Sequence, residues 1–337
     1  MRKFIINISL FFLPVALLLM NYMLLLVFRE NVGDLATLGK IFYEKGYHEK
    51  FKIDDSARCF VCDVPIDKIP ESAVAVCFGD SFSRQSHSYL QNVGQSLGEI
   101  VYNVTFSGDK SPEDAALSFL ESDIHPKPEY LIVESCERYC IPRLYWLDFD
   151  NVATIKEIRD NEEKTDKRKN VIKSFSNNFV AYYRRKVGID DDKVLVSRLD
   201  RRFFTAEDKE DLLISYFEDT IHYSPQYIDG ATQKLGQLND MAKKQGVALF
   251  YLVAPNKSTL YAPYVKGDVI FSVLLRNNSP FDTIPYVFNP LKVLGPDVDN
   301  GQKDIYYSDD SHWTPQTANI VGTEFGNVIK ERSEKTF

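Results

Sequence analysis

The polar and apolar positions of this chain fall into three patterns. The first is an uncharged, mostly apolar run over residues 4 to 28, behind Arg2 and Lys3. At about 25 residues it is long enough to cross a bilayer, and a proline such as Pro14 is tolerated in a membrane helix. It ends at Phe28-Arg29-Glu30, without the small-residue site of a cleaved signal peptide. The run predicts a retained signal anchor. The positive residues ahead of it predict a cytoplasmic N-terminus, with the rest of the chain outside.

The second pattern is an alternation of short apolar runs with helical periodicity. Ala73–Phe78, Glu99–Val104, Glu129–Glu134 and Val247–Val253 read as buried strands, and Tyr286-Val287-Phe288 as a short last one. Ser111-Pro112-Glu113 opens a helix after the second strand. A helix from Ala231 to Gln245 stops at Gly246, and one from Pro315 to about Lys330 closes the domain. Alternating strands and helices predict an α/β three-layer sandwich around a central parallel sheet.

The third pattern covers residues 141 to 226, where the strand signal stops. Lys156 to Lys169 is dense in both signs of charge and reads as solvated. Phe175, Phe179, Tyr182 and Tyr183 are spaced as on a helix face, as are Leu212, Leu213, Tyr216 and Phe217. The stretch predicts a mainly helical insertion. The expected organisation is a membrane anchor (1–30), a connector (31–71) with a short helix near Leu35–Phe42, and one domain (72–337) carrying the insertion.

Composition narrows the function classes. A net charge of −8 argues against a nucleic-acid partner. The 19 Tyr and 23 Phe suit core packing and sugar faces alike. Cys59-x-x-Cys62 fits a disulfide, a redox pair or half a zinc site. With no second such pair a four-thiolate zinc site is not expected, and no metal is. Cys77 reads as a buried strand residue, and Cys136 and Cys140 as sharing a helix face.

The chemistry concentrates at two points. Gly79-Asp80-Ser81-Phe82-Ser83 follows the first strand, and Arg84, Gln85, Ser86, Tyr89 and Leu90 read as the start of a helix. Ser81 is thus expected at a strand-to-helix turn, where its backbone N–H can point at a developing oxyanion. Near the C-terminus, Asp309-Asp310-Ser311-His312-Trp313 offers a histidine with carboxylates two and three residues before it. Serine, histidine and carboxylate are the parts of an activated nucleophile. Among the other histidines, His87 reads as lying on the helix after Ser81. His48, His125 and His222 have no carboxylate motif and read as structural.

Gly-Asp-Ser after the first strand, with Asp-x-x-His near the C-terminus, resembles the SGNH/GDSL hydrolase superfamily. Asp310-Ser311-His312-Trp313-Thr314-Pro315, and the stretch from Pro255 through Lys257 to Tyr261, resemble its alginate O-acetyltransferase-like subgroup. The serine motif comes first here, as in the superfamily at large and unlike that subgroup. The resemblance covers roughly residues 72 to 330 without the insertion, at the level of motifs.

It implies an SGNH/flavodoxin-like fold with Ser81 as nucleophile and His312 as base. Asp309 has the superfamily spacing and Asp310 the subgroup spacing for the orienting acid; Asp310 is preferred. The N–H groups of Ser81 and Gly108 would form the oxyanion hole, although Gly108 also fits a plain turn. The superfamily's Gly-x-Asn-Asp is replaced by Glu134-Ser135-Cys136-Glu137-Arg138, so Ser135 or Arg138 would stand in for the asparagine. Glu137 and Arg138 also fit a surface ion pair. Arg138, Lys257 and Trp313 are the substrate-binding candidates, and no cofactor is implied.

The implied function is a membrane-anchored serine O-acyltransferase, with acetyl as the implied acyl group, acting on a cell-surface or exported polysaccharide. It would face the periplasm from the inner membrane, with a multispanning membrane acyltransferase as candidate donor. An esterase of the same fold is one alternative, and a non-catalytic glycan-binding or assembly protein is another.

Overall fold

Every strand pair of the central sheet runs parallel in the computed structural model. The structure describes residues 3, 8, 11–20, 33–39, 46–52, 60–106, 110–124, 126–159, 193–207, 209–272, 274–276 and 279–336. Its strands are Val61–Pro65 (β1), Ala75–Gly79 (β2), Val101–Thr105 (β3), Tyr130–Cys136 (β4), Val194–Leu199 (β5), Leu212–Tyr216 (β6), Ala248–Ala254 (β7), Val265–Lys266 (β8) and Val287–Phe288 (β9). Six of them form the parallel sheet in the order β1-β3-β2-β4-β7-β9. β5 pairs antiparallel with both β6 and β8 in a separate sheet.

The helices are Asp34–Gly39 (α1), Leu90–Leu97 (α2), Pro112–Glu121 (α3), Glu137–Tyr145 (α4), Ile155–Arg159 (α5), Pro225–Lys244 (α6), Lys257–Tyr261 (α7), Leu291–Asp299 (α8) and Pro315–Thr336 (α9). α3 starts where its sequence signals it. Ser111 Oγ accepts from the Asp114 N–H while the Asp114 carboxylate accepts from the Ser111 N–H, a capping box.

β2 and β4 are buried at every position. Both of their faces are covered, which is why they read as continuous apolar runs rather than alternating ones. α2 packs on α9, while α3 and α4 both pack on α6. From β2 the chain crosses through α2 to β3, then back through α3 over β2 to β4. Right-handed crossovers in opposite directions put α2 and α3 on opposite faces, compatible with a three-layer sandwich. The reversal makes the C-terminal end of β2 a topological switch point, where open α/β sheets bind ligands. Ser81 follows that end.

The structure departs from the sequence reading in three places. β1 lies inside the stretch read as a connector and forms one edge of the sheet. Leu212, Leu213 and Tyr216, spaced as on a helix face, belong instead to strand β6. Their spacing fits a helix face and a buried strand alike, and antiparallel pairing with β5 decides it. The helix expected directly after Ser81 starts only at Leu90, and His87 lies before it in a turn.

Most of the run from 4 to 28 lies outside the described residues, as do Phe175, Phe179, Tyr182 and Tyr183. Residues 11–20 are helical, and among the described residues no helix is long and apolar enough to cross a membrane.

Candidate active site

The serine loop is held from β4 and α4. A Cβ on Gly79 would meet Ser83 Oγ at 2.0 Å, so only glycine allows the tight exit from β2. Ser83 N donates to Asp80 O (3.1 Å) and Arg84 N to Ser81 O (3.2 Å), which makes a turn rather than a helix start. The Asp80 carboxylate accepts from both terminal nitrogens of Arg143, Nη2 at 3.2 Å from Oδ1, and from the Cys136 N–H (3.2 Å). Ser83 Oγ donates to Glu134 Oε2 (2.9 Å). Ser81 is left exposed between these ties.

The histidine loop closes on itself by an isolated bridge between Tyr306 and Trp313, with Thr314 N donating to Ile305 O (3.0 Å). Trp313 is fully buried, its ring centroid 4.4 Å from that of Phe82. Phe82 also lies 4.9 Å from His312, so these rings press the two loops together. His312 Nε2 then sits 2.7 Å from Ser81 Oγ, and His312 Nδ1 sits 2.5 Å from Asp310 Oδ1. The structure therefore brings Ser81, His312 and Asp310 into one hydrogen-bonded chain.

Asp309 takes no part in that chain. It is fully buried, with Oδ1 2.8 Å from His48 Nε2 and Oδ2 accepting from the Gly33 N–H (2.8 Å). His48, which reads as structural from the sequence, thus has a buried carboxylate partner in space, and its ring stacks on Tyr307 at 4.2 Å.

Charge in the chain is arranged for proton transfer. Burial works against a charged His312, but the Asp310 hydrogen bond and charge, aided by Asp34, outweigh it and raise its pKa above the ordinary value. Burial pushes Asp310 up, yet the His312 contact wins and holds it well below the usual carboxylate range. With Nδ1–H fixed on Asp310, Nε2 is left to accept the Ser81 proton.

Ser81 and His312 open onto a cleft of about 490 Å³, lined further by Arg84, Phe106, Lys110 and Arg143. The guanidinium of Arg84 lies over the Phe106 ring at 4.7 Å.

The other expected contacts are not there. Arg138 is buried, with Nε donating to Asn256 Oδ1 (3.2 Å), its charge near Asp219 and its guanidinium over Tyr216. Glu137 is buried too and accepts from the Asn256 N–H (2.8 Å), so the two form no surface ion pair. Lys257 is buried and donates to Ser308 O (2.7 Å) and Asp310 O (3.2 Å), and burial lowers its pKa to about 8. Trp313 packs the core. None of Arg138, Lys257 and Trp313 lines the cleft. Ser135 is buried and accepts from Arg143. Gly108, Cys59 and His125 lie outside the described residues, and Cys62 is an exposed free thiol.

Two groups of described residues have donor atoms close enough to hold a metal: Asp34, Asp310 and His312, and Asp80, Glu134 and Cys136. In the first, the carboxylates already accept from His312 and Ser311; in the second, Asp80 carries the Arg143 fork. No protein-family model, curated protein or solved structure matches this chain.

Proposed function

We propose that the protein is an SGNH-type serine O-acyltransferase, anchored in the inner membrane and acting outside the cytoplasm on a polysaccharide. One observation carries the reading: the hydrogen-bonded chain from Ser81 through His312 to Asp310 opens onto a cleft at the switch point of a parallel sheet. The motif resemblance agrees with it.

In this reading Ser81 Oγ attacks the acyl carbonyl of a donor ester as its proton passes to His312 Nε2. The Ser81 N–H faces the oxyanion, and Asp310 stabilises the imidazolium. Collapse expels the donor alkoxide, which takes the proton from His312, and leaves acyl-Ser81. A sugar hydroxyl then attacks, giving its proton to His312; collapse breaks the acyl–Ser81 bond and returns that proton to Oγ. Acetyl is the acyl group the resemblance favours.

Tethering supports a membrane-side donor. Gly33, bonded to Asp309, lies five residues beyond Phe28 (33 − 28). Five residues span at most about 18 Å. With residues 4 to 28 in the bilayer, the His312 loop would be held near its surface, within reach of a membrane-bound acyltransferase.

The test is turnover of p-nitrophenyl acetate with and without glycan acceptors, followed by product mass spectrometry. Acetylated glycan that disappears in Ser81→Ala is the expected result. Free acetate alone with every acceptor makes the protein an esterase. No turnover and no acyl-enzyme would favour a non-catalytic glycan-binding role.

A further inference from the structure

We infer that Asp34, in the segment that follows the N-terminal apolar run, is a positioning residue that holds the His312 loop in its working geometry. The inference rests on the reading of Ser81 and His312 as nucleophile and base.

Two chain segments 276 residues apart meet here through backbone and side-chain bonds together. The Asp34 N–H donates to Asp310 Oδ2 (3.3 Å), while Asp310 Oδ1 serves His312. Both oxygens of the orienting carboxylate are therefore engaged, and its rotation about the Cβ–Cγ bond is fixed. The Asp34 carboxylate takes Ser311, the residue between Asp310 and His312. Its Oδ1 accepts from the Ser311 N–H (2.7 Å) and its Oδ2 from Ser311 Oγ (2.6 Å). Tyr216 OH donates to the same Oδ2 (2.8 Å), which fixes Asp34 from β6. On either side, Gly33 N reaches Asp309 Oδ2 (2.8 Å) and Ala36 N reaches Asp309 O (2.9 Å). A Cβ on Gly33 would meet Asp309 O at 2.4 Å, so the approach is too close for another residue.

This arrangement is not a surface contact of convenience. Burial, with the charge of Asp310 next, raises the Asp34 pKa, so holding two carboxylates together carries a cost. The donors gathered around them offset it. Lys257, from α7, supports the loop through the Ser308 and Asp310 carbonyls. The loop is thus tied to both α1 and α7, and Asp34 is not itself among the residues that line the cleft.

The test compares Asp34→Asn, Asp34→Ala and Tyr216→Phe in the full-length protein, with p-nitrophenyl acetate and a fluorophosphonate titration of competent Ser81. A loosened His312 lowers kcat per titrated site by about 100-fold in Asp34→Asn, with KM little changed. Tyr216→Phe, which removes one of three donors, falls in the same direction and less far. The charged groups that face His312 are Asp310 in its loop, Asp34 from α1 and Arg138 from α4. Asp34→Asn deletes one negative charge and leaves the others, so the acid limb of the kcat profile moves to lower pH.

A purely structural role gives a different pattern: fewer titrated sites, each with parental kcat and the parental limb. That result overturns the inference, as does unchanged activity in Asp34→Asn. If Asp34→Ala does not fold, Asp34→Asn and Tyr216→Phe still decide. Full activity in Ser81→Ala or His312→Ala would instead sink the functional reading beneath it.

Discussion

His312 Nδ1 and Asp310 Oδ1 stand 2.5 Å apart within one loop, and the His312 backbone N–H reaches the same oxygen at 3.0 Å. Asp309, the adjacent residue, turns its carboxylate onto His48 and Gly33 instead. The two aspartates are close in sequence and opposite in role. Asp310→Asn should therefore lower kcat by about 10⁴-fold, the size of the corresponding change in serine proteases. Asp309→Asn leaves the His312 pair in place and should cost far less. Steady-state kinetics on both variants checks this; equal losses would contradict the division of roles.

The pH profile follows from the same pair. Transfer of the Ser81 proton needs neutral His312, and the folded site raises that pKa above its ordinary value of 6.5. Activity should therefore rise with pH through a midpoint above 6.5 and not below it. A kcat profile whose acid limb lies lower would mean that Asp310 and Asp34 do not outweigh burial.

Trp313 should prove to be a packing residue. Among the described residues its indole N–H has no partner, and its ring is enclosed by Phe82, Tyr89 and Tyr306. Trp313→Ala should cost about 3–5 kcal/mol in urea unfolding. Trp313→Phe should fold with a much smaller loss and an unchanged KM. A large KM increase in Trp313→Phe would give the ring a substrate contact.

Glu134 lies beneath the serine loop. Burial, and then the charge of Asp80, raises its pKa from 4.5 to about 8. Between these values the folded chain keeps a proton that the unfolded chain releases. This contribution to stability is complete below 4.5 and is lost as pH rises to about 8. Glu134→Gln keeps an acceptor for Ser83 and cannot ionise. Its Tm relative to the parent should climb between about pH 5 and pH 8 in a thermal scan series. A difference that stays constant with pH would refute the raised pKa.

The parts of this protein that were legible in its sequence are those whose signal is local. β2 and β4 are covered on both faces, so burial writes itself as an unbroken apolar run. Ser81 and His312 sit in short motifs whose chemistry is recognisable without knowing the fold. What the sequence hid is created by juxtaposition. Asp34 looks like an acidic residue favouring a helix N-terminus, and only the fold sets it against Ser311.

Arg143 looks like a solvated helix charge until Asp80 is brought to it. Arg138 and Lys257 fail in the other direction. Charge suggested exposure and ligand contact, but each is buried and satisfied within the chain, by Asn256 beside Asp219 and by two loop carbonyls. β6 was ambiguous because positions 212, 213 and 216 suit a helix face and a fully buried strand alike.

The account depends most on Ser81 being a nucleophile activated by His312. Intact-protein and peptide mass spectrometry after a fluorophosphonate pulse tests this directly. One phosphonyl adduct on Ser81 is expected, formed at least about 100-fold more slowly in His312→Ala, because the general base is gone. No adduct, an adduct on another residue, or labelling of Ser81 at the same rate without His312 would contradict it.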